Sequence, residues 1–138
     1  MSNSKLVSYI TSDFQTKSDM KVGEVEWEKI MKKNFDKFKK AGAVRQTVTQ
    51  IWNKEGALRL GHLWEYKDEK AFLECQKIFR EAELEFKNKT GIVWKVFSNR
   101  GIVLYDVNYW WVIIWKQNLF IICLLYTSDA ADDGTGVD

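Results

Sequence analysis

The stretch Leu58-Arg59-Leu60-Gly61-His62-Leu63-Trp64-Glu65-Tyr66, followed by Asp68 and then Ala71-Phe72, decides how this chain folds. Leu58, Leu60, His62, Trp64 and Tyr66 share one face, while Arg59, Gly61, Leu63 and Glu65 share the other, the two-residue period of a strand. Asp68 stands just before an apolar run at helical spacing, where its carboxylate can accept from the free N–H groups of a first turn. The helix it opens is predicted to run to about Lys89. Its stripe is Phe72, Cys75, Ile78, Phe79, Ala82 and Phe86, and Thr90-Gly91 stops it.

Working outward, residues 44–52 alternate, with Val48 and Trp52 on one face and Thr47, Thr49 and Ile51 on the other. Asn53-Lys54-Glu55-Gly56 is a turn, so this strand and the next pair as a hairpin. Upstream, residues 24–41 place Trp27, Ile30, Met31, Phe35 and Phe38 on one helical face. Glu24, Glu26 and Glu28 lie early and Lys37, Lys39 and Lys40 late, an order that complements the helix dipole. Gly42 suits a left-handed cap. Residues 15–21 read as a polar loop and residues 5–14 as a strand rich in β-branched and aromatic side chains. After the second helix, residues 92–97 predict a fourth strand, Asn99-Arg100-Gly101 a turn, and residues 102–107 a short fifth strand.

The order is β-α-β-β-α-β. Two helices with one apolar stripe each cover one face of an antiparallel sheet, the ferredoxin-like α+β arrangement, and leave its other face open. Tyr9, Trp52, Trp64, Tyr66 and Trp94 must all find cover, and an open apolar face marks an interface or a ligand site.

His62-Leu63-Trp64-Glu65-Tyr66 with Asp68 and Ala71-Phe72 resembles the strand-to-helix junction of dimeric α/β-barrel proteins. The His-x-Trp-x-Tyr run is most similar to the NIPSNAP family. The Tyr66-Lys67-Asp68-Glu69-Lys70-Ala71 run resembles the antibiotic-biosynthesis-monooxygenase group. The second helix lacks the arginines usual in the former and the histidine frequent in the latter. The resemblance implies a homodimer joined through its sheet faces, with an interior able to hold a small molecule, and carries no reaction over. The aromatic open face with one histidine motivates a barrel that binds a small apolar or aromatic molecule or transforms it, by a cofactor-independent monooxygenase-like or an isomerase-like reaction. His62 is the catalytic candidate, since an unperturbed imidazole titrates near neutrality; its alternative is a neutral histidine at the edge of the core. Trp64, Tyr66, Trp52 and Tyr9 are the ligand-binding candidates, with interface packing as the alternative for the first two.

RNA-recognition motifs share this element order and display aromatics on the open face. Their third strand, however, starts with a basic residue and Gly and then an aromatic. Leu60-Gly61-His62-Leu63-Trp64 does not, so nucleic acid is not expected as a partner. A plain dimerisation or regulatory module is the third reading.

Composition bounds the rest. The whole chain has 21 Lys+Arg and 19 Asp+Glu. After Asn108 the only basic residue is Lys116 and the acidic ones are Asp129, Asp132, Asp133 and Asp138, leaving 20 basic and 15 acidic residues before them. A domain over residues 4–108 therefore carries about +5. One histidine and two cysteines (Cys75 and Cys123) give no metal-ligand spacing or disulfide framework, and neither metal nor cofactor is expected. Cys75 on the helix stripe reads as a buried small hydrophobe. The lysines of the first helix and Glu81, Glu83 and Glu85 of the second read as solvated surface. The N-terminus has no basic-then-apolar leader, which makes cytoplasmic residence the expectation. Residues 109–122 are apolar but interrupted by Lys116-Gln117-Asn118, too short and too polar at the centre for a membrane helix; they read as an extra strand or a frameshifted read. Residues 123–138 resemble the in-frame translation of a transposase-type sequencing-library adapter, a non-native tail.

Overall fold

A computed structural model describes residues 5–109. The chain divides into two compact units, Met1–Leu104 and Tyr105–Asp138. Among the described residues the strands and long helices belong to the first; of the second only residues 105–109 are described, so the expectations for residues 110–138 lie outside the described residues.

The first unit runs β1 (Leu6–Phe14), α1 (Lys17–Lys33), α2 (Phe35–Ala41), β2 (Ala43–Gln50), β3 (Arg59–Tyr66), α3 (Glu69–Thr90) and β4 (Trp94–Ile102). The strands form one antiparallel sheet in the order β2-β3-β1-β4. This is the expected ferredoxin-like α+β class.

The helix that follows β1 begins earlier than its apolar stripe suggests. Thr16 accepts a hydrogen bond from the Asp19 N–H at 3.0 Å, so the expected loop at residues 15–21 is instead a capped first turn. The same helix is broken once. Asn34 is buried, and its Nδ2 donates at 2.9 Å to the Ile30 carbonyl, which also accepts from the Asn34 backbone N–H at 3.1 Å, a side-chain bond that competes with regular helix at this point. The break rotates α2 so that Phe38 enters the core while Phe35, expected beside it, is 62% exposed. Gly42 ends α2 in the left-handed region at φ 106°. A Cβ there would lie 2.5 Å from the Ala71 Cβ, so both the backbone and the packing against α3 require glycine.

α3 behaves as its sequence predicts. The Asp68 carboxylate accepts from the Ala71 N–H at 2.8 Å, and Gly91 closes the helix at φ 67°. β4 does not: the expected turn at Asn99-Arg100-Gly101 is extended strand, because β1 pairs with it continuously from Phe14–Trp94 to Leu6–Ile102. The sheet ladder overrides a local turn preference. Among the described residues there is no fifth strand.

The core lies between helices and sheet. Phe38 meets Trp64 at 4.9 Å and Phe79 at 5.0 Å between ring centroids, and Trp64 meets Phe79 edge-on at 4.7 Å. Lys33–Glu85 and Lys89–Glu26 ion pairs, both 2.8 Å, tie α1 to α3 on the outside.

Candidate functional site

The central strand β1 sends small residues toward the helices. Ser8 and Ser12 face inward with Ile10 between them, where a packed core would hold larger apolar side chains. Across the sheet the inward rungs are Gln46–Trp64–Ser8–Arg100, Val48–His62–Ile10–Ser98 and Gln50–Leu60–Ser12–Val96. A floor of serines under aromatic walls leaves a cavity of about 130 Å³ between sheet and helices. Trp27, Trp64, Tyr66, Phe79, Phe86 and Trp94 line it, with Gly23 of α1 at its roof. A Cβ at Gly23 would meet the Phe14 ring at 2.8 Å, so that close approach also depends on glycine.

Several polar groups on the residues that line this space leave their hydrogen-bonding capacity unused. Ser8 Oγ, Tyr66 OH and Trp27 Nε1 are buried and find no hydrogen-bond partner among the described residues. Ser8 lies close enough to Tyr66 to favour its charged form slightly, but not in a geometry that closes a bond. Burial dominates and pushes the Tyr66 phenol up to about 12. Burial likewise lowers His62 to about 4, so its imidazole is neutral at pH 7. Glu83 stands at the cavity's edge on α3; its carboxyl is raised by partial burial although the residue as a whole is exposed.

Trp27, Leu60 and His62 also border a second space, an open groove of about 460 Å³ between α1 and β2. Gln46 lines that groove, and its Nε2 is another buried donor with no partner among the described residues. His62 therefore sits where the inner cavity meets the outer groove.

The sequence-derived site is thus brought together only in part. His62, Trp64 and Tyr66 line one cavity. They do so under the helices rather than on the open sheet face, which corrects the expectation that Trp64 and Tyr66 are displayed there. The reason is visible in β3 itself: the opposite set, Arg59, Gly61, Leu63 and Glu65, is the more polar and turns outward. Tyr9 is on that outward face, 57% exposed, and Trp52 is 63% exposed in the loop after β2; neither joins the cavity. Sequence reading missed Ser8, Ser12, Trp27, Glu83 and Arg100. The serines on a strand were the available signal, since hydroxyls at core positions mark a place that packing does not fill. Glu83, read as surface charge, borders the cavity.

Outward, Tyr9, Thr47, Gly61, Leu63, Phe97 and Asn99 form a shallow, mixed apolar surface. Asp13 and Arg59 pair bidentately at one end of it, which holds the Asp13 carboxyl below the usual range; Arg45 and Glu65 pair at the other. No cluster of three or more metal-ligating side chains occurs among the described residues. No helix among them is long and apolar enough to cross a membrane.

Comparison with known proteins follows the fold. A family model described as a domain of unknown function, DUF6974, matches residues 3–103. No curated protein matches the chain. A dimeric ferredoxin-like protein from an uncultured marine organism is similar at TM-score 0.68 and 23% identity, over 75% of this chain and 99% of that one. A second dimeric ferredoxin-like protein from an uncultured marine organism gives TM-score 0.69 and 22% identity, over 75% and 98%. SnoaB, a cofactor-independent oxygenase from Streptomyces nogalater, is similar at TM-score 0.52 and 9% identity, over 75% and 97%. These likenesses concern the fold.

Proposed function

This chain belongs to the DUF6974 family, and we propose that it is a homodimeric α/β-barrel protein that binds a small, flat, apolar or aromatic molecule in the cavity between its sheet and its helices. The observation that carries the reading is the combination of aromatic walls with unpartnered buried donors, Ser8 Oγ, Tyr66 OH and Trp27 Nε1. A fold gains nothing from leaving such groups unpaired, because each costs about 1–3 kcal/mol. A ligand carrying hydrogen-bond acceptors satisfies them, while its rings stack on the walls.

The homodimer is supported by the outward surface of exposed Tyr9 and Phe97 with half-buried Leu63, and by the two dimeric proteins of the same fold. His62 is proposed as a neutral hydrogen-bonding group at the junction of cavity and groove. Cofactor-independent oxygenation is the second reading, favoured by the likeness to SnoaB. It asks more of the site: a base near 4 removing a proton from a phenol near 10 faces a gap of about 6 units, roughly 8 kcal/mol. Binding without chemistry needs no such step.

The test is titration with a bicyclic aromatic probe such as 2-naphthol, followed by calorimetry and tryptophan quenching. Saturable binding at one site per protomer, lost in Ser8→Leu with the fold intact by circular dichroism, supports the reading. Absence of saturable binding, or binding that survives Ser8→Leu, overturns it.

A further inference from the structure

The cavity is chemically lopsided along its length. Phe72 at the start of α3 meets Tyr66 at 5.4 Å, and Phe86 near its end meets Trp94 at 4.7 Å, so α3 and β4 fix two ends. Arg100 and Gln76 line the Tyr66 end, with the Arg100 guanidinium 4.9 Å over the Phe72 ring and on the same rung as Ser8. Arg100 makes no ion pair among the described residues. Glu83 and Trp94 lie toward the other end. Arginine stacked on an aromatic face keeps its planar edge free for a carboxylate.

We infer that the cavity selects an aromatic monoanion, its carboxylate held at the Arg100 end by the guanidinium, Ser8 and Tyr66. This rests on the cavity being the binding site. At that end the Arg100 guanidinium only donates, and the Ser8 and Tyr66 hydroxyls and the Gln76 amide can donate as well, although Gln76 Nε2 already gives one hydrogen to the Phe72 carbonyl at 3.4 Å. The one acid on the lining, Glu83, is displaced toward the opposite end, where it repels a second carboxylate and sets orientation. An arginine free of ion pairs among the described residues, lining one end of the cavity beside two hydroxyls that can turn a proton toward it, favours a carboxylate there.

The probes are 2-naphthoate, its neutral isostere 2-naphthamide and the cation 2-naphthylmethylamine, titrated into the full chain at fixed ionic strength. The wild type should bind the carboxylate about tenfold or more above the amide, the worth of a charge-assisted hydrogen bond, and the amine weakest. Arg100→Gln should bring the carboxylate-to-amide ratio close to one, and Arg100→Lys should recover only part of it. Equal binding of all three probes, with a ratio insensitive to Arg100→Gln, overturns the anion preference while leaving the cavity reading in place. If no probe binds, or all bind Ser8→Leu undiminished, both fall.

Discussion

The hydroxyls of Ser8, on β1, and Tyr66, at the end of β3, belong to residues that line the same cavity and are each 1% exposed, and neither closes a hydrogen bond among the described residues. Removing one should therefore cost the fold little. Tyr66→Phe is expected to be neutral or stabilising by about 1 kcal/mol in urea unfolding, because it deletes an unsatisfied buried group. The same change should weaken binding of an acceptor-bearing probe about tenfold. A loss of stability of about 2 kcal/mol would instead show that the hydroxyl is satisfied in solution by bridging water and is not held open for a ligand.

Gly42 is the position where the fold tolerates least. Its φ of 106° lies in the region side chains avoid, and a Cβ would sit 2.5 Å from Ala71. Ala71 starts α3, so the clash has no flexible side chain to absorb it. Gly42→Ala should destabilise by about 2 kcal/mol or more, the sum of left-handed strain and overpacking. Urea midpoints measure it; a change under about 0.5 kcal/mol would mean that α2 and α3 pack less rigidly than described.

How much of this was legible in the chain depends on the scale at which order is written. The β-α-β-β-α-β order follows from period-two and period-3.6 patterns, and Asp68 and Gly91 bound α3 as capping chemistry requires. The break at Asn34 was hidden because one side-chain hydrogen bond to Ile30 outweighs an apolar stripe that continues through Phe35. Asn99-Arg100-Gly101 looks like a turn locally but is held straight by nine paired positions of β1, an interaction distant in sequence. The site was legible on β3, where parity groups His62, Trp64 and Tyr66. Which face they occupy was not, since that depends on where the helices land. The cavity itself comes from Ser8 and Ser12, residues whose smallness matters only once their neighbours are known.

His62 gives the protein a pH signature. Burial holds its folded-state pKa at about 4, against 6.5 when exposed. Between those values the unfolded chain binds more protons than the native one, so stability is complete above pH 6.5 and declines as pH falls toward 4. The difference between the two values corresponds to at most about 3–4 kcal/mol. Asp13 and Glu26, both lowered, withdraw their contributions only at more acid pH. Glu83, raised by burial, acts with the opposite sign and is best removed as Glu83→Gln. In that background, His62→Gln should flatten the slope of unfolding free energy between pH 6.5 and 5. An unchanged slope would place the imidazole in water.

Cys75 is fully buried on α3, and burial pushes its thiol up to about 11. A thiol so placed is neither ionised nor reachable at neutral pH. In a Cys123→Ser background, its reaction with an aromatic disulfide reagent should follow the rate or equilibrium of unfolding and fall with any ligand that stabilises the fold. Reaction within seconds under native conditions would show that α3 opens locally over the core.

The outward face offers the last test. Tyr9 and Phe97 are more than half exposed in the protomer, on adjacent strands β1 and β4, with Leu63 beside Tyr9 on β3. If two sheets meet there, a charge at the centre is desolvated against its own copy in the partner, whereas in a lone protomer it stays in water. Leu63→Asp should therefore shift sedimentation from dimer to monomer and make the thermal midpoint independent of protein concentration. The cavity lies on the other side of the sheet, so the monomer should retain saturable probe binding if the site is complete within one chain. Loss of binding together with dissociation would mean that the second copy shapes the cavity. A wild-type protein that sediments as a monomer at all concentrations would remove the homodimer from the proposal and leave the exposed aromatic face to another partner.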